Sequence, residues 1–310
     1  MTLRLGRGSG SIAGHAHPLE RRGHVFVVQS GHGAGGGRPR CSDFLSNRLS
    51  RFEVTTYEVS DAALKQARQR FKGIAAVYPT EVEGATAAAA QETVERIRFT
   101  TQLASAVQGA DLVIEAVPES LELKRDVFAR IAASAPPAAV FVTNSSTLVP
   151  SELMDSTGRP DRFLALHFAN HIWVNNMAEV MSSPNTDPRV YQRVLAFAKD
   201  IGMVPIELHK EQRGYIVNSL LGPFLMAAAD LLLRGVAEPN TIDTTWRIAT
   251  GAPKGPFELF DIIGLRTAYA VASAGGPDRQ AWANYLKRNY IDQGKLGVES
   301  GEGFYIYPMS

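Results

Sequence analysis

Four short apolar or β-branched stretches of this chain stop at side chains able to handle protons, hydroxyls or charge. Phe52-Glu-Val-Thr-Thr-Tyr ends at Glu58, and Asp111-Leu-Val-Ile-Glu-Ala-Val runs into Val117-Pro-Glu119. Ala139-Val-Phe-Val-Thr runs into Asn144-Ser-Ser146, and Arg162-Phe-Leu-Ala-Leu into His167-Phe-Ala-Asn170. In an open parallel sheet ligands lie beyond the carboxyl ends of strands, so the four ends should converge on one crevice. A carboxylate placed like Glu58 accepts hydrogen bonds from ribose hydroxyls, which favours NAD over its 2′-phosphorylated relative. An imidazole such as His167 titrates near neutral pH and suits proton transfer there. Taken singly, Glu58 reads equally well as a solvated acid before a helix, and His167 more readily as a structural histidine than as a base. The convergence outweighs either residue alone.

The elements needed to position these ends are written around them. From Phe52 onward strands and helices alternate, the sign of a parallel sheet with helical crossovers. A helix is expected over Asp61 to Val77, capped by Ser60 or Asp61, with Leu64, Ala67, Phe71 and Ile74 on one face. Leu123, Val127 and Ile131 mark another, and Val190, Val194, Phe197 and Ile201 a third. Met203-Val-Pro-Ile-Glu-Leu reads as a further strand. After Gly214 helix follows helix, with turn signals at Gly235, Gly251 to Pro256 and Gly275 to Pro277. The fold class is therefore α/β: a Rossmann-like doubly wound domain over 25–212, then an all-α domain over 213–310. The apolar run Tyr215 to Leu233 is broken by Asn218, Pro223 and Asp230, so it is expected to be a buried helix and not a membrane span.

Composition narrows the classes. The chain has 310 residues, 45% hydrophobic and 20% charged, as ordinary globular proteins do. A formal charge of +1 argues against nucleic acid as a partner. Cys41 is the single cysteine, and with seven histidines it offers no metal-ligand spacing, so no metal is expected. A reducing cytoplasm fits.

The first 51 residues are anomalous, with eight Arg against only Glu20 and Asp43. Val25 to Val28 reads as a strand, and Gly31, Gly33 and Gly36 fit a Gly-x-Gly-x-x-Gly phosphate turn. Pro39, however, stands where the following helix should run. Read one base later, the codons of Gly37-Arg-Pro-Arg-Cys41 permit Gly-Val-Leu-Gly-Ala, and the shift carried through residues 31–51 permits a regular strand, glycine turn and apolar helix. This stretch is therefore expected to be translated out of frame. An uninterrupted frame over codons 25 to 55 would end that reading.

Beyond these positions a family resemblance emerges. Asp111-Leu-Val-Ile-Glu-Ala-Val-Pro-Glu-Ser-Leu-Glu-Leu-Lys, Thr143-Asn-Ser-Ser-Thr-Leu, Leu166-His-Phe-Ala-Asn, Ala178-Glu-Val-Met, Gly214-Tyr-Ile-Val-Asn, Gly251-Ala-Pro-Lys-Gly-Pro-Phe-Glu-Leu and Gly301-Glu-Gly-Phe-Tyr resemble, in order, the 3-hydroxyacyl-CoA dehydrogenase family. The resemblance implies NAD as cofactor and a short acyl-CoA-like substrate, oxidised at its 3-hydroxyl. It implies His167 as general base and Glu179 as the carboxylate orienting it, with Ser146, Asn170 and Asn218 holding the substrate. Ala116, Val117, Glu119, Lys124 and Asn144 would line the cofactor beside Glu58. Lys124 reads equally as a solvated helix residue, and Asn144 equally as a turn cap. Asn218 lies in an apolar stretch where a buried amide is costly unless bonded, which favours a site role. A homodimer through the helical domain is implied as well. Departures stand at His171, Trp173 and Asn175-Asn176, where the family usually has Pro, Pro, Val and Met-Lys, so acyl length and carrier are open. Two rivals remain: a dehydrogenase of a free hydroxy acid, and a non-catalytic relic lacking its phosphate turn.

Overall fold

The computed structural model describes residues 24–28, 52–168 and 174–307. Eight strands form one sheet: β1 (His24–Val28), β2 (Glu53–Tyr57), β3 (Arg98–Thr100), β4 (Leu112–Glu115), β5 (Val140–Thr143), β6 (Phe163–Phe168), β7 (Met177–Ser182) and β8 (Val204–Leu208). Their order is β3-β2-β1-β4-β5-β6-β7-β8. The strand order reverses at the β1/β4 boundary, the switch point at which doubly wound sheets bind ligands. β4, β5 and β6 are buried along their whole length, which their unbroken apolar runs require of strands covered on both faces.

Helices cover the sheet. α1 (Asp61–Glu81) starts at Ser60, whose hydroxyl accepts from the Ala63 amide at 3.2 Å, and it packs Ala63, Ala67, Phe71, Ala75 and Tyr78 inward. It runs past the expected end at Val77, with Pro79 in its last turn. α2 (Ala87–Arg96) and the edge strand β3, unforeseen in the sequence, precede the short α3 (Leu103–Val107). α4 (Leu121–Ala132) and α5 (Pro188–Asp200) carry the anticipated stripes, with Val127, Ile131, Val190, Val194 and Phe197 buried. β7 corrects the parallel expectation. Only residues 169–176 separate it from β6, too few for a helical crossover, and the two strands pair antiparallel.

The second unit holds α6 (Tyr215–Leu233), α7 (Pro239–Thr250), α8 (Pro256–Ile263), α9 (Leu265–Ala274) and α10 (Pro277–Asn289) around Phe257, Phe260, Trp282 and Leu286. Buried carboxylates staple it. Asp243 accepts from the amides of Phe257 and Glu258 at 2.9 and 3.0 Å, and Asp261 from those of Phe304 and Tyr305, both at 2.9 Å. The expectation of a buried α6 is overturned. Only Tyr215, Leu225, Ala228 and Ala229 of its nineteen residues are buried, and Ile216 and Leu220 are exposed. By length and composition it is the one helix, among the described residues, apolar enough to cross a membrane.

Candidate active site

The antiparallel register sets His167 directly opposite Glu179, which puts both side chains on one face of the sheet. The imidazole Nδ1 lies 2.9 Å from Glu179 Oε2, with both residues buried. The other carboxylate oxygen, Oε1, accepts from the backbone amides of Ile216 and Val217 at 2.8 and 3.1 Å. These amides open α6, which has no side-chain cap of its own, so Glu179 caps the helix from across the chain. Burial pushes the Glu179 carboxyl up, but its hydrogen bonds from His167, Val217 and Ile216 outweigh this and hold it below the usual range. Acceptance from Nδ1 leaves Nε2 as the nitrogen available for proton exchange. Tyr215 stacks on the imidazole at 4.4 Å between centroids and 22° between planes. Among the described residues it is the one non-glycine with positive φ, 53°, a sparsely populated backbone state placed beside the dyad.

A second polar cluster forms where β4 and β5 end. Glu119 Oε1 accepts from Ser145 Oγ at 2.5 Å, from the Ser146 amide at 3.0 Å, and from the amide and hydroxyl of Thr147 at 2.8 and 2.7 Å. Burial raises its pKa, but the Lys124 ammonium and the Ser145 and Thr147 hydrogen bonds prevail, leaving it at about 2. Lys124 itself is 1% exposed and donates to Glu115 Oε1 at 2.7 Å, which overturns its reading as a solvated helix residue.

The remaining predicted residues fall as follows. Glu58, at the end of β2, is fully buried and 3.4 Å from Arg70, so the solvated-acid alternative fails. Ala116 and Val117 follow β4, half-buried and buried. Asn144 accepts from the Phe168 amide at 3.0 Å, tying the ends of β5 and β6 together next to His167. Ser146 is half-buried in the turn beside Glu119. Asn218 is exposed at the start of α6, one residue past Val217, so the argument from a buried amide does not hold for it. Asn170, His171, Trp173, Gly31, Gly33, Gly36 and Cys41 lie outside the described residues, as does most of the stretch read as out of frame. β1 forms from the written residues His24–Val28. Sequence reasoning missed Tyr215, Glu115 and the amides of Ile216 and Val217. The motif Gly214-Tyr-Ile-Val-Asn held the only signal for the first and last.

The strand order reverses at β1 and β4, where doubly wound sheets bind dinucleotides, and Glu58, Val117, Glu119 and Asn144 follow the carboxyl ends of β2, β4 and β5 around that point. Sheet, crevice and imidazole–carboxylate pair define a Rossmann-type NAD-dependent dehydrogenase with a helical second domain. The sequence comparisons narrow this class. The model of the 3-hydroxyacyl-CoA dehydrogenase NAD-binding domain matches residues 45–212, and that of the family's C-terminal domain matches 214–307. The chain belongs to the 3-hydroxyacyl-CoA dehydrogenase family and uses NAD. It is 36% identical to the human mitochondrial hydroxyacyl-coenzyme A dehydrogenase over 70% of each chain. Among solved structures it is similar to a diketoreductase described as acting on dicarbonyl compounds, with 55% identity, TM-score 0.86, and coverage of 93% of this chain and all of the other. The (S)-3-hydroxybutyryl-CoA dehydrogenase PaaH1 of Ralstonia eutropha follows at 26% identity and TM-score 0.74, covering 92% and 99%.

Proposed function

We propose that the chain interconverts a short-chain L-3-hydroxyacyl-CoA and its 3-oxo form, with His167 as the acid–base group and Glu179 as its partner. The observation that carries this reading is the 2.9 Å contact between His167 Nδ1 and Glu179 Oε2. NAD, bound in the crevice, supplies the hydride acceptor for C3. In oxidation His167 Nε2 takes the substrate's hydroxyl proton, and in reduction it returns that proton to the oxyanion. Glu179 fixes the tautomer with the hydrogen on Nδ1 and stabilises the imidazolium that forms. Ser146, Asn170 and Asn218 are assigned to hold the substrate oxygen near the imidazole.

A second reading is supported by the 55% identity to the diketoreductase: the ketone substrate carries no CoA. The two differ little at the reacting carbon, since a 3-oxoacyl thioester is itself a ketone two carbons from a second carbonyl. NADH oxidation with acetoacetyl-CoA and with acetylacetone separates them. A kcat/KM at least about tenfold higher for the thioester supports the first reading, the reverse order supports the second, and no turnover of either refutes both. The exposed apolar residues Ile216 and Leu220 of α6, with Trp246, Ile248, Ile262 and Val271 exposed elsewhere on the helical unit, support assembly as a homodimer through that unit.

A further inference from the structure

Glu115 is fully buried at the end of an otherwise apolar strand, where a leucine or valine would pack at no electrostatic cost. Its carboxylate instead takes hydrogen bonds from three elements. Oε1 accepts from Lys124 Nζ on α4 and from the Val117 amide beyond β4, both at 2.7 Å. Oε2 accepts from the Thr143 hydroxyl at 2.7 Å, its neighbour in the parallel register of β4 and β5.

From both ends the chain of contacts leads to one turn. Lys124 Nζ stands 3.5 Å from Glu119 Oε2, and Glu119 Oε1 receives Ser145 Oγ and the Ser146 amide. Thr143 Oγ1 in turn accepts from the Ser145 amide at 3.2 Å. The contacts close on themselves through Glu115, Lys124, Glu119, Ser145 and Thr143, and Ser146 hangs from that closure. Asn144 continues it, since its amide donates to the Glu115 carbonyl at 2.8 Å while its side chain holds the Phe168 amide next to His167.

We propose that Glu115 is a positioning residue for the reaction: by closing this ring it fixes the height of Ser146 relative to His167 without touching substrate or cofactor. The proposal rests on the reading of His167 and Ser146 given above. A largely buried ring in which the Glu115 and Glu119 links are charge-assisted has one favourable arrangement, and opening it at any link frees the turn.

Glu115→Gln keeps the volume but opens the ring. An amide nitrogen facing Thr143 forces that hydroxyl to accept twice, and one facing Lys124 opposes an ammonium. Thr143→Val opens the same ring from the other side, with its shape preserved, and serves where E115Q does not fold. Each variant is expected to lower kcat for acetoacetyl-CoA reduction by roughly 10- to 100-fold, the effect of displacing a reacting group by about an ångström, with little change in KM. The discriminating measurement is the same substitution in a Ser146→Ala background. If Glu115 acts through Ser146, its effect shrinks there to less than about threefold. Losses that simply multiply would overturn the proposal and leave Glu115 a stabilising residue only. An S146A enzyme as fast as the parent would also overturn it, while loss of activity in His167→Gln would show that the reaction itself is assigned correctly.

Discussion

Replacing Glu179 by Gln tests the dyad most directly, because the geometry separates its catalytic from its structural work. The glutamine oxygen still reaches the amides of Ile216 and Val217, which Oε1 now receives at 2.8 and 3.1 Å. Its NH2 group then faces His167 Nδ1, which becomes an acceptor and transfers the ring hydrogen to Nε2. That tautomer is no base toward the substrate. The imidazolium also loses its counter-charge. Two unit charges about 4 Å apart at an effective dielectric near 20 attract by about 4 kcal/mol. At about 1.4 kcal/mol per tenfold, this is about a thousandfold in rate. With the tautomer penalty added, kcat for oxidation of 3-hydroxybutyryl-CoA at saturating NAD should fall about 10³- to 10⁴-fold. The fold should lose only the charge term at the start of α6, about 1 kcal/mol, or about 2–4 °C in Tm for a chain of this size. Steady-state kinetics and a thermal melt on one preparation measure both. A loss in kcat below about tenfold would refute the assigned role, as would a melting shift large enough to account for the lost rate.

Four further outcomes follow from the same geometry. His167→Gln should lower kcat about a thousandfold while calorimetric NAD binding stays unchanged. Glu119 is held at about 2 against an ordinary 4.5, so it adds stability above pH 4.5 that is lost as pH falls toward 2, and Glu179, also lowered, adds to the same acid loss. Glu119→Gln should accordingly flatten the acid limb of urea midpoint against pH in that window, and an unchanged limb would contradict the assignment. Gly297→Ala drives a methyl into the Asp261 carbonyl oxygen at a φ of 93°, and should cost about 3 kcal/mol in a urea titration. Leu220, 69% exposed on α6, becomes the test of assembly: Leu220→Glu should move the light-scattering mass from dimer to monomer.

Much of this site was legible because its strands are. Unbroken apolar runs at β4, β5 and β6 announce strands covered on both sides, and their polar ends mark the crevice without any knowledge of packing. What failed was whatever depends on a partner element. The apolar run of α6 reads alike whether the helix is buried in its own domain or left uncovered, and it proved uncovered. Asn218 shared that misreading. Lys124 carries a charge whose sequence context is an ordinary amphipathic helix, and only the facing Glu115, nine residues back, turns it inward. The antiparallel turn into β7 depends on loop length and not on side-chain type, so the pattern of alternation concealed it. Tyr215 has a left-handed backbone that local preference for a tyrosine does not encode.

Glu179 answers to two masters, one oxygen serving the sheet's imidazole and the other the first turn of α6. A sheet unit made without its helical partner would therefore retain its crevice while leaving half of that carboxylate unsatisfied and Tyr215 absent. The imidazole–carboxylate pair is a joint product of both halves of the polypeptide, finished only when they meet. Two hydrogen-bond steps, from the α6 amides to Glu179 and from His167 Nδ1 to Glu179, are all that separate the helical unit from the imidazole.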